Sequence, residues 1–337
     1  MLPLAIFMAF SMPNPWEFIL STPASAISIA GDGGIAVGQD DGTVSIYDFD
    51  PGWISLKLRA MFRERGPIRA LEFSPNGTYL ATGFQDDGRN VTTAIWTRGG
   101  KLTRYFDAFE GHPVKAGGFN RGFALKTTSR LSWSPDGTLL AAEHEGHLDT
   151  GVRVWNMNGT LRSELGRSKD GWQSLPKDER LSMAAGVKAV AFSPGGTEIL
   201  TAMDDGFVRT WHLNGRVKWQ SKVAPVDGAC DAAYSVDGKH VVFGTSWQDS
   251  LIGSLDAATG KVEWKAKLPE SPMSVSSLRN GKLIVAFGKR IETGRRVPLH
   301  DLFNSDRRYI FFTIDRQRKT IIVSMGGRKY YRYTSLD

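Results

Sequence analysis

The sequence predicts an all-β fold assembled from repeated strand-turn-strand units within one domain. Three observations carry that expectation. A short apolar strand runs into a polar turn and then into a second apolar strand at Phe73-Ser-Pro-Asn-Gly77, Trp133-Ser-Pro-Asp-Gly137, Phe192-Ser-Pro-Gly-Gly196, Tyr234-Ser-Val-Asp-Gly238 and Leu278-Arg-Asn-Gly281. Proline fixes φ, and Asp or Asn before Gly supplies the positive φ of a tight turn, so each unit reads as a hairpin. A second turn, at Asp40-Asp41-Gly42, Asp86-Asp87-Gly88 and Asp204-Asp205-Gly206, precedes the alternating strands Val44 to Tyr47, Thr92 to Trp96 and Val208 to Trp211. A chain of 337 residues would ordinarily split into two domains, but closed β-architectures run longer as single units and this repeat is spread along the chain.

These units resemble the WD-repeat β-propeller family, whose unit has about 40 to 45 residues and four strands per blade. Where that family has Trp-Asp, this chain has Tyr47-Asp48, Trp96-Thr97, Trp155-Asn156 and Trp211-His212, and Gly111-His112 matches the Gly-His that opens a repeat. The segment Asp256-Ala-Ala-Thr-Gly-Lys-Val-Glu-Trp264 is similar to the quinoprotein type of propeller repeat. Both resemblances imply a propeller, and neither implies a reaction. In the WD family an Asp, a Ser or Thr, a His and the Trp hydrogen-bond strands together within a blade. The Asp-Gly turns and the Thr or Ser residues near Trp96, Trp155 and Trp211 are therefore expected to be scaffold rather than hydrolytic machinery.

Counting strand pairs gives seven blades. Blade one covers Ala26 to Phe62, with strands at Ala26 to Ile29, Ile35 to Gly38, Val44 to Asp48 and Ser55 to Ala60. Blade two runs from Ile68 to Phe109, blade three from Leu131 to Leu165, blade four from Val187 to Val223 and blade five from Asp231 to Leu268. Blade six, Val275 to Val297 with a short continuation, is weakly marked, so six or eight blades are the competing counts. Blade seven holds Tyr309 to Ile314, Thr320 to Met325 and Lys329 to Thr334. It lacks a strand, and the orphan strand Trp16 to Leu20 precedes blade one. Pairing the two would close the ring and cover an open sheet edge. The domain therefore spans 16–337, with 1–15 as an amino-terminal extension of uncertain status.

The extension contains the apolar run Leu2 to Phe10, too short to cross a bilayer and without a preceding Lys or Arg. Ala24-Ser25-Ala26 mimics a signal-cleavage site, yet cleavage there would remove the closing strand. A cytoplasmic protein is the expectation over an exported one, and Met12 is an alternative start. The lone Cys230 excludes an internal disulfide and, with no His near it in sequence, reads as a small buried filler rather than a nucleophile.

Turn spacing is uneven. Ser74 to Ser134 is 60 residues and Ser134 to Ser193 is 59, against 42 from Ser193 to Ser235. The excess lies in Phe84 to Asn90 and Glu143 to Thr150, between second and third strands, and in Gly111 to Thr128 and Gly166 to Ala185, between blades. In propeller geometry these connections share one rim, so the insertions crowd one sector opposite the Ser-Pro hairpins. Long loops on a rigid scaffold are where recognition is built. Phe119, Arg121, Phe123, Lys126 and Trp172 are the candidate partner-binding residues. The competing reading is that these aromatics pin the loops down.

Glu143-His144-Glu145-Gly146-His147-Leu148-Asp149 is the densest group of potential metal ligands, with His112 and His212 as possible contributors from other loops. It lacks a fixed ligand spacing, and its expected state is a polar, solvated loop with no metal. No cofactor is expected: the acidic cluster and stacking groups of a quinone site cannot be assigned, and no Gly-rich phosphate loop opens a helix.

Charge is asymmetric. Between Arg279 and Asp337 fourteen Lys and Arg face five Asp and Glu, a surplus of nine in a chain of net +7, so the rest of the chain carries −2. The pairs Lys289-Arg290, Arg295-Arg296, Arg307-Arg308, Arg318-Lys319 and Arg328-Lys329 lie at or near turns, with Tyr309, Tyr330, Tyr331 and Tyr333 close by. Such a sector suits an acidic protein surface, or RNA through phosphate contacts and stacking, and a membrane less well; plain solubilising charge is the bland reading. The sequence thus points to a non-enzymatic scaffold docking a protein on the insertion-rich face of blades two to four. An RNA or ribonucleoprotein accessory factor is the alternative, and a metal-binding enzyme using Glu143, His144, His147 and Asp149 is the third class.

Overall fold

The computed structural model describes residues 16–19, 24–49, 56–85, 91–107, 127–144, 150–165, 186–225, 228–246, 250–268, 271–277, 283–287, 291–293, 311–315, 320–324 and 329–333. All regular structure among these residues is β. Twenty-seven strands form antiparallel sheets in chain order. Sheet one holds β2 (Ala24–Ile29), β3 (Ile35–Gln39), β4 (Thr43–Phe49) and β5 (Leu56–Arg63). Sheet two holds β6 (Ile68–Phe73), β7 (Tyr79–Phe84), β8 (Val91–Thr97) and β9 (Leu102–Asp107). Sheet three holds β10 (Leu131–Trp133), β11 (Leu139–His144), β12 (Gly151–Asn156) and β13 (Leu161–Leu165). Sheet four holds β14 (Val187–Phe192), β15 (Glu198–Met203), β16 (Phe207–His212) and β17 (Val217–Lys222). Sheet five holds β18 (Ala229–Tyr234), β19 (His240–Thr245), β20 (Leu251–Asp256) and β21 (Val262–Lys267). Sheet six has three strands, β22 (Pro272–Ser277), β23 (Leu283–Phe287) and β24 (Ile291–Thr293). In the last sheet β25 (Phe311–Asp315), β26 (Thr320–Ser324) and β27 (Lys329–Tyr333) are joined by β1 (Trp16–Ile19), which pairs with β27 from Trp16↔Arg332 to Ile19↔Lys329.

The hairpins between first and second strands form for the reason their sequence suggests. Gly77, Gly137, Gly196 and Gly238 all have φ near +70°. The serine at the head of each turn accepts from the strand that follows: Tyr79 N to Ser74 Oγ, Leu139 N to Ser134 Oγ, Glu198 N to Ser193 Oγ and His240 N to Ser235 Oγ, at 2.9 to 3.1 Å. Asn76, Asp136 and Asp237 close the turn by accepting from that serine hydroxyl. The expected hairpin at Leu278 to Gly281 lies outside the described residues.

Burial follows position in the sheet. The second strands are buried along nearly their whole length, as in β3, β7, β11, β15 and β19, while every residue of the fourth strand β21 is exposed. The core is a series of slabs between consecutive sheets. Ala81, Ile95 and Phe106 of sheet two meet Trp133, Leu140 and Trp155 of sheet three. Val152, Val154 and Leu165 meet Val187, Phe192 and Ile199 of sheet four. Leu200, Val208 and Trp219 then meet Tyr234, Val241 and Phe243 of sheet five. The first strands touch in order, β25 on β2 and then β2, β6, β10, β14, β18 and β22 in succession. Hydrogen bonds also cross between sheets: Phe73 N donates to Ser28 Oγ, Phe192 N to Ser132 Oγ and Val275 N to Asp231 Oδ2. Buried polar groups are thus placed where a neighbouring sheet can satisfy them.

Two rims result. On one, the connections between second and third strands bond to the connections between sheets: Glu64 N to Gly42 O, Gln85 N to Pro67 O, Glu143 N to Arg130 O and Asp204 N to Gly186 O. On the other, the remaining turns meet through Arg98 N to Thr78 O, Met157 N to Thr138 O and Ala257 N to Lys239 O.

Candidate functional site

The rim that carries the insertions is the candidate site, and its described part is the set of anchors from which they rise. The first inter-sheet insertion returns at Thr127, which bridges Gln85. Thr128 is then clamped: its Oγ1 lies 2.8 Å from Thr92 Oγ1, accepts from Thr93 Oγ1 at 3.1 Å and donates to Glu143 O at 2.8 Å. The Glu143 carboxylate accepts from Ser129 N at 3.0 Å and from Ser129 Oγ at 2.5 Å. Gly83 makes room for this crossing, since a Cβ there would sit 2.6 Å from Thr128 O.

The second inter-sheet insertion lands beside the first. Arg130 Nε donates to Lys188 O at 2.7 Å, and Lys188 Nζ pairs with Asp204 Oδ2 at 3.1 Å. One turn further, Arg209 and Asp205 form a buried ion pair at 2.6 Å, with Arg209 also donating to Gln220. Removing one member of such a buried pair costs more than the pair itself contributes, so these charges fix the rim's geometry.

Glu143 and His144 correct the sequence reading. They are expected in a solvated loop, but both end β11 and are 1% and 4% exposed. β11 is buried along its whole length, Glu143 and His144 included, and Ser129 supplies hydrogen bonds that make the buried carboxylate tolerable. Glu145, His147, Asp149 and His112 lie outside the described residues. Among the described residues no three His, Cys, Asp or Glu side chains converge on a metal position, and His212 is the exposed last residue of β16, on the opposite rim. Phe119, Arg121, Phe123, Lys126 and Trp172 also lie outside the described residues, as do Lys289, Arg290, Arg295, Arg296, Arg307, Arg308, Arg318 and Lys319. Cys230 falls in β18 at an irregularity in the β18–β19 register between Ala229 and Asp231.

Three groups escaped sequence reasoning. Trp96 Nε1 donates to Glu64 Oε1, which also accepts from Thr82 Oγ1 at 2.6 Å, so a glutamate joins the tryptophan and the strand threonine here. Burial pushes the Glu64 carboxyl up, against the pull of those two hydrogen bonds. In sheet four the same tryptophan position uses the strand threonine alone, Trp211 Nε1 to Thr201 Oγ1 at 2.9 Å. On the turn rim Arg98 bonds Asp32 and pairs with Asp48 at 2.6 Å, tying sheet two to sheet one. Burial lowers the Arg98 pKa, and the two carboxylates more than restore it. Asp231 accepts from Ser274 Oγ at 2.5 Å and from Val275 N at 2.9 Å; burial raises its pKa despite them. Each joins strands or sheets.

Repeated four-stranded antiparallel sheets, with no helix among the described residues, are consistent with a WD-type repeat propeller. The WD domain, G-beta repeat family matches the chain at residues 57–89 and 181–212. The chain is similar to Protein hir1 of Schizosaccharomyces pombe, 25% identical over 282 residues that cover 77% of this chain and 28% of that protein. It is similar to Protein HIR1 of Kluyveromyces lactis, 24% identical over 69% of this chain and 25% of that one. The ciliary WD repeat-containing protein ctxp80 of Euplotoides octocarinatus is 24% identical over 72% of the chain and 31% of its own length. The chain thus spans about a quarter to a third of the length of these curated relatives.

Proposed function

We propose that the chain is a seven-bladed propeller, closed by β1 against β27, that works as a non-enzymatic cytoplasmic scaffold docking a protein partner on the insertion-rich rim of blades two to four. The carrying observation is that the residues following both long insertions meet on one braced platform, Thr128 to Arg130 beside Lys188, Asp204 and Asp205. A rigid base holding long loops suits recognition. Phe119, Arg121, Phe123, Lys126 and Trp172 are the residues proposed to touch the partner. Similarity to proteins named for WD repeats supports a binding module.

The surplus of nine positive charges between Arg279 and Asp337 favours a second reading, an RNA or ribonucleoprotein contact at Lys289 to Lys319. One experiment separates them: affinity capture from native lysate at low and high salt, with and without nuclease, using the wild type and a variant with residues 111–126 shortened. Partners that survive salt and nuclease but vanish with the loop are the expected result. Partners that ignore the loop and vanish with nuclease would replace the scaffold reading with the nucleic-acid one.

A further inference from the structure

A groove of about 910 Å³ opens on the opposite rim, where the outer strand of sheet three meets the last turn of sheet four. Its existence has a local cause. Wherever that junction recurs, the turn glycine of one sheet faces the fourth strand of the sheet before it. A Cβ at Gly159 would strike Arg104, and one at Gly260 would strike the ring of Trp219. Arg104, Trp219 and Ser163 are each the third residue of their strand, β9, β17 and β13. At Gly215 the corresponding residue is serine, and a Cβ there would meet the main-chain Glu164 O at 2.9 Å, with the small Ser163 Cβ standing back at 4.0 Å. At the first such junction a Cβ at Gly100 would meet Ala60 Cβ at 3.1 Å and the Phe62 ring at 3.6 Å, both on β5. Between sheets three and four the residue two beyond Ser163 is Leu165, which turns inward to the core. Ser163 Oγ itself is sealed from solvent and has no hydrogen-bond partner.

What lines the opening has a definite chemistry. Arg162 and Arg216 flank it with the exposed His212 and Asn214, and Leu213 and Val217 give it an apolar floor. The neighbouring acids are engaged elsewhere: Glu164 pairs with Arg153 at 2.8 Å and Glu198 with Lys218 at 2.6 Å. Neither Arg162 nor Arg216 has a carboxylate partner among the described residues. Two uncommitted guanidiniums over an apolar floor match carboxylates spaced by an apolar side chain.

We propose that this groove binds an extended acidic peptide segment, its carboxylates on Arg162 and Arg216 and an apolar side chain on Leu213 and Val217. This site is separate from the insertion rim, so a partner docked there can be gripped a second time, or a second partner held. Segments joined in one partner would gain by effective concentration without any new contact.

The test uses the full chain and a short labelled peptide alternating glutamate with leucine, followed by fluorescence anisotropy. Its controls are the same peptide with glutamine for glutamate, a glutamate-only peptide, and a labelled single-stranded RNA. Expected is binding of the glutamate-leucine peptide that weakens with salt, exceeds that of both peptide controls, and falls by about tenfold or more when Arg162→Glu and Arg216→Glu are combined. Ser163→Trp, which restores the filler used at Gly260, should block the peptide while leaving the arginines in place. Shortening residues 111–126 should leave this binding intact, which keeps its outcome apart from the capture experiment above. Equal affinity of the double-arginine variant and the wild type would overturn the proposal, as would tighter RNA binding abolished by the same substitutions. If Ser163→Trp does not fold, the exposed arginine pair decides alone.

Discussion

At the scale of single residues the fold's economy lies in how it treats buried carboxyls. Glu64 is supplied with two side-chain donors and Asp231 with three donors, and each is a joint between strands or sheets. Glu72 is treated differently. It lies on β6 against sheet three, its Oε2 sealed from solvent with no hydrogen-bond partner, while Trp133 Nε1 bonds its main-chain carbonyl. Burial pushes the Glu72 carboxyl up from 4.5 to about 8, only partly opposed by a hydrogen bond from Trp133 N. A carboxyl whose pKa is raised by folding binds its proton more tightly in the native state. Its stabilising effect is complete below its ordinary pKa and is lost as pH rises from there through about 8. The loss is on the order of a few kcal/mol. Glu72→Gln keeps the shape without the charge, so it should remove this slope and exceed the wild type by ~1–3 kcal/mol at alkaline pH, with little difference in mild acid. Urea unfolding at several pH values reads both curves. Parallel curves for variant and wild type would show that Glu72 ionises without penalty.

At the scale of elements, the Ser-Pro-Asp-Gly hairpin is the unit that makes the repeat. Ser134 is nearly sealed, accepts from Leu139 N and donates to Asp136, so the turn and the first ladder bond depend on one hydroxyl. Ser134→Ala leaves the Leu139 N–H without that acceptor and should cost ~1–3 kcal/mol. Asp136→Asn should cost much less. The Ser134 hydroxyl and Thr138 N hold the Asp136 carboxyl below its usual range, but it stands in solvent. Thermal unfolding of the two variants side by side checks the order, and the reverse order would move the turn's stability to the aspartate. These hairpins were legible because their instructions are local: φ preferences and capping groups lie within a few residues. Strand positions in sheets one to five were legible for a similar reason, alternation bounded by turns. The burial of Glu143 and His144 was not, because it depends on Ser129, which returns from a long insertion. Nor were the Arg98 bridges to Asp32 and Asp48, set by the juxtaposition of sheets. The groove beside Gly215 is visible only by comparing Ser163 with Arg104 and Trp219 once strand registers are known.

At the scale of the whole molecule, the proposed ring requires the slabs between sheets to be continuous, so that every sheet has both faces covered. The first strands already run in contact from β25 through β2 to β22. The link across the chain's ends is β1 on β27, four residue pairs from Trp16↔Arg332 to Ile19↔Lys329. Antiparallel pairing satisfies the backbone groups of β27, which otherwise form an open edge able to recruit another chain. In the proposed closed ring, this pairing also holds the last blade, and with it the basic segment, against blade one. Deleting residues 1–19 should therefore lower the unfolding midpoint by several degrees and produce concentration-dependent self-association. Adding back a synthetic strand with the sequence of residues 14–21 should reverse both effects, because donated strands pair with open edges. Light scattering across a dilution series, with and without the peptide, reads the edge directly. A truncated chain that stays monomeric and melts with the full-length chain would break the closure proposal while leaving the insertion rim and the groove beside Gly215 untouched, since both lie within sheets two to four.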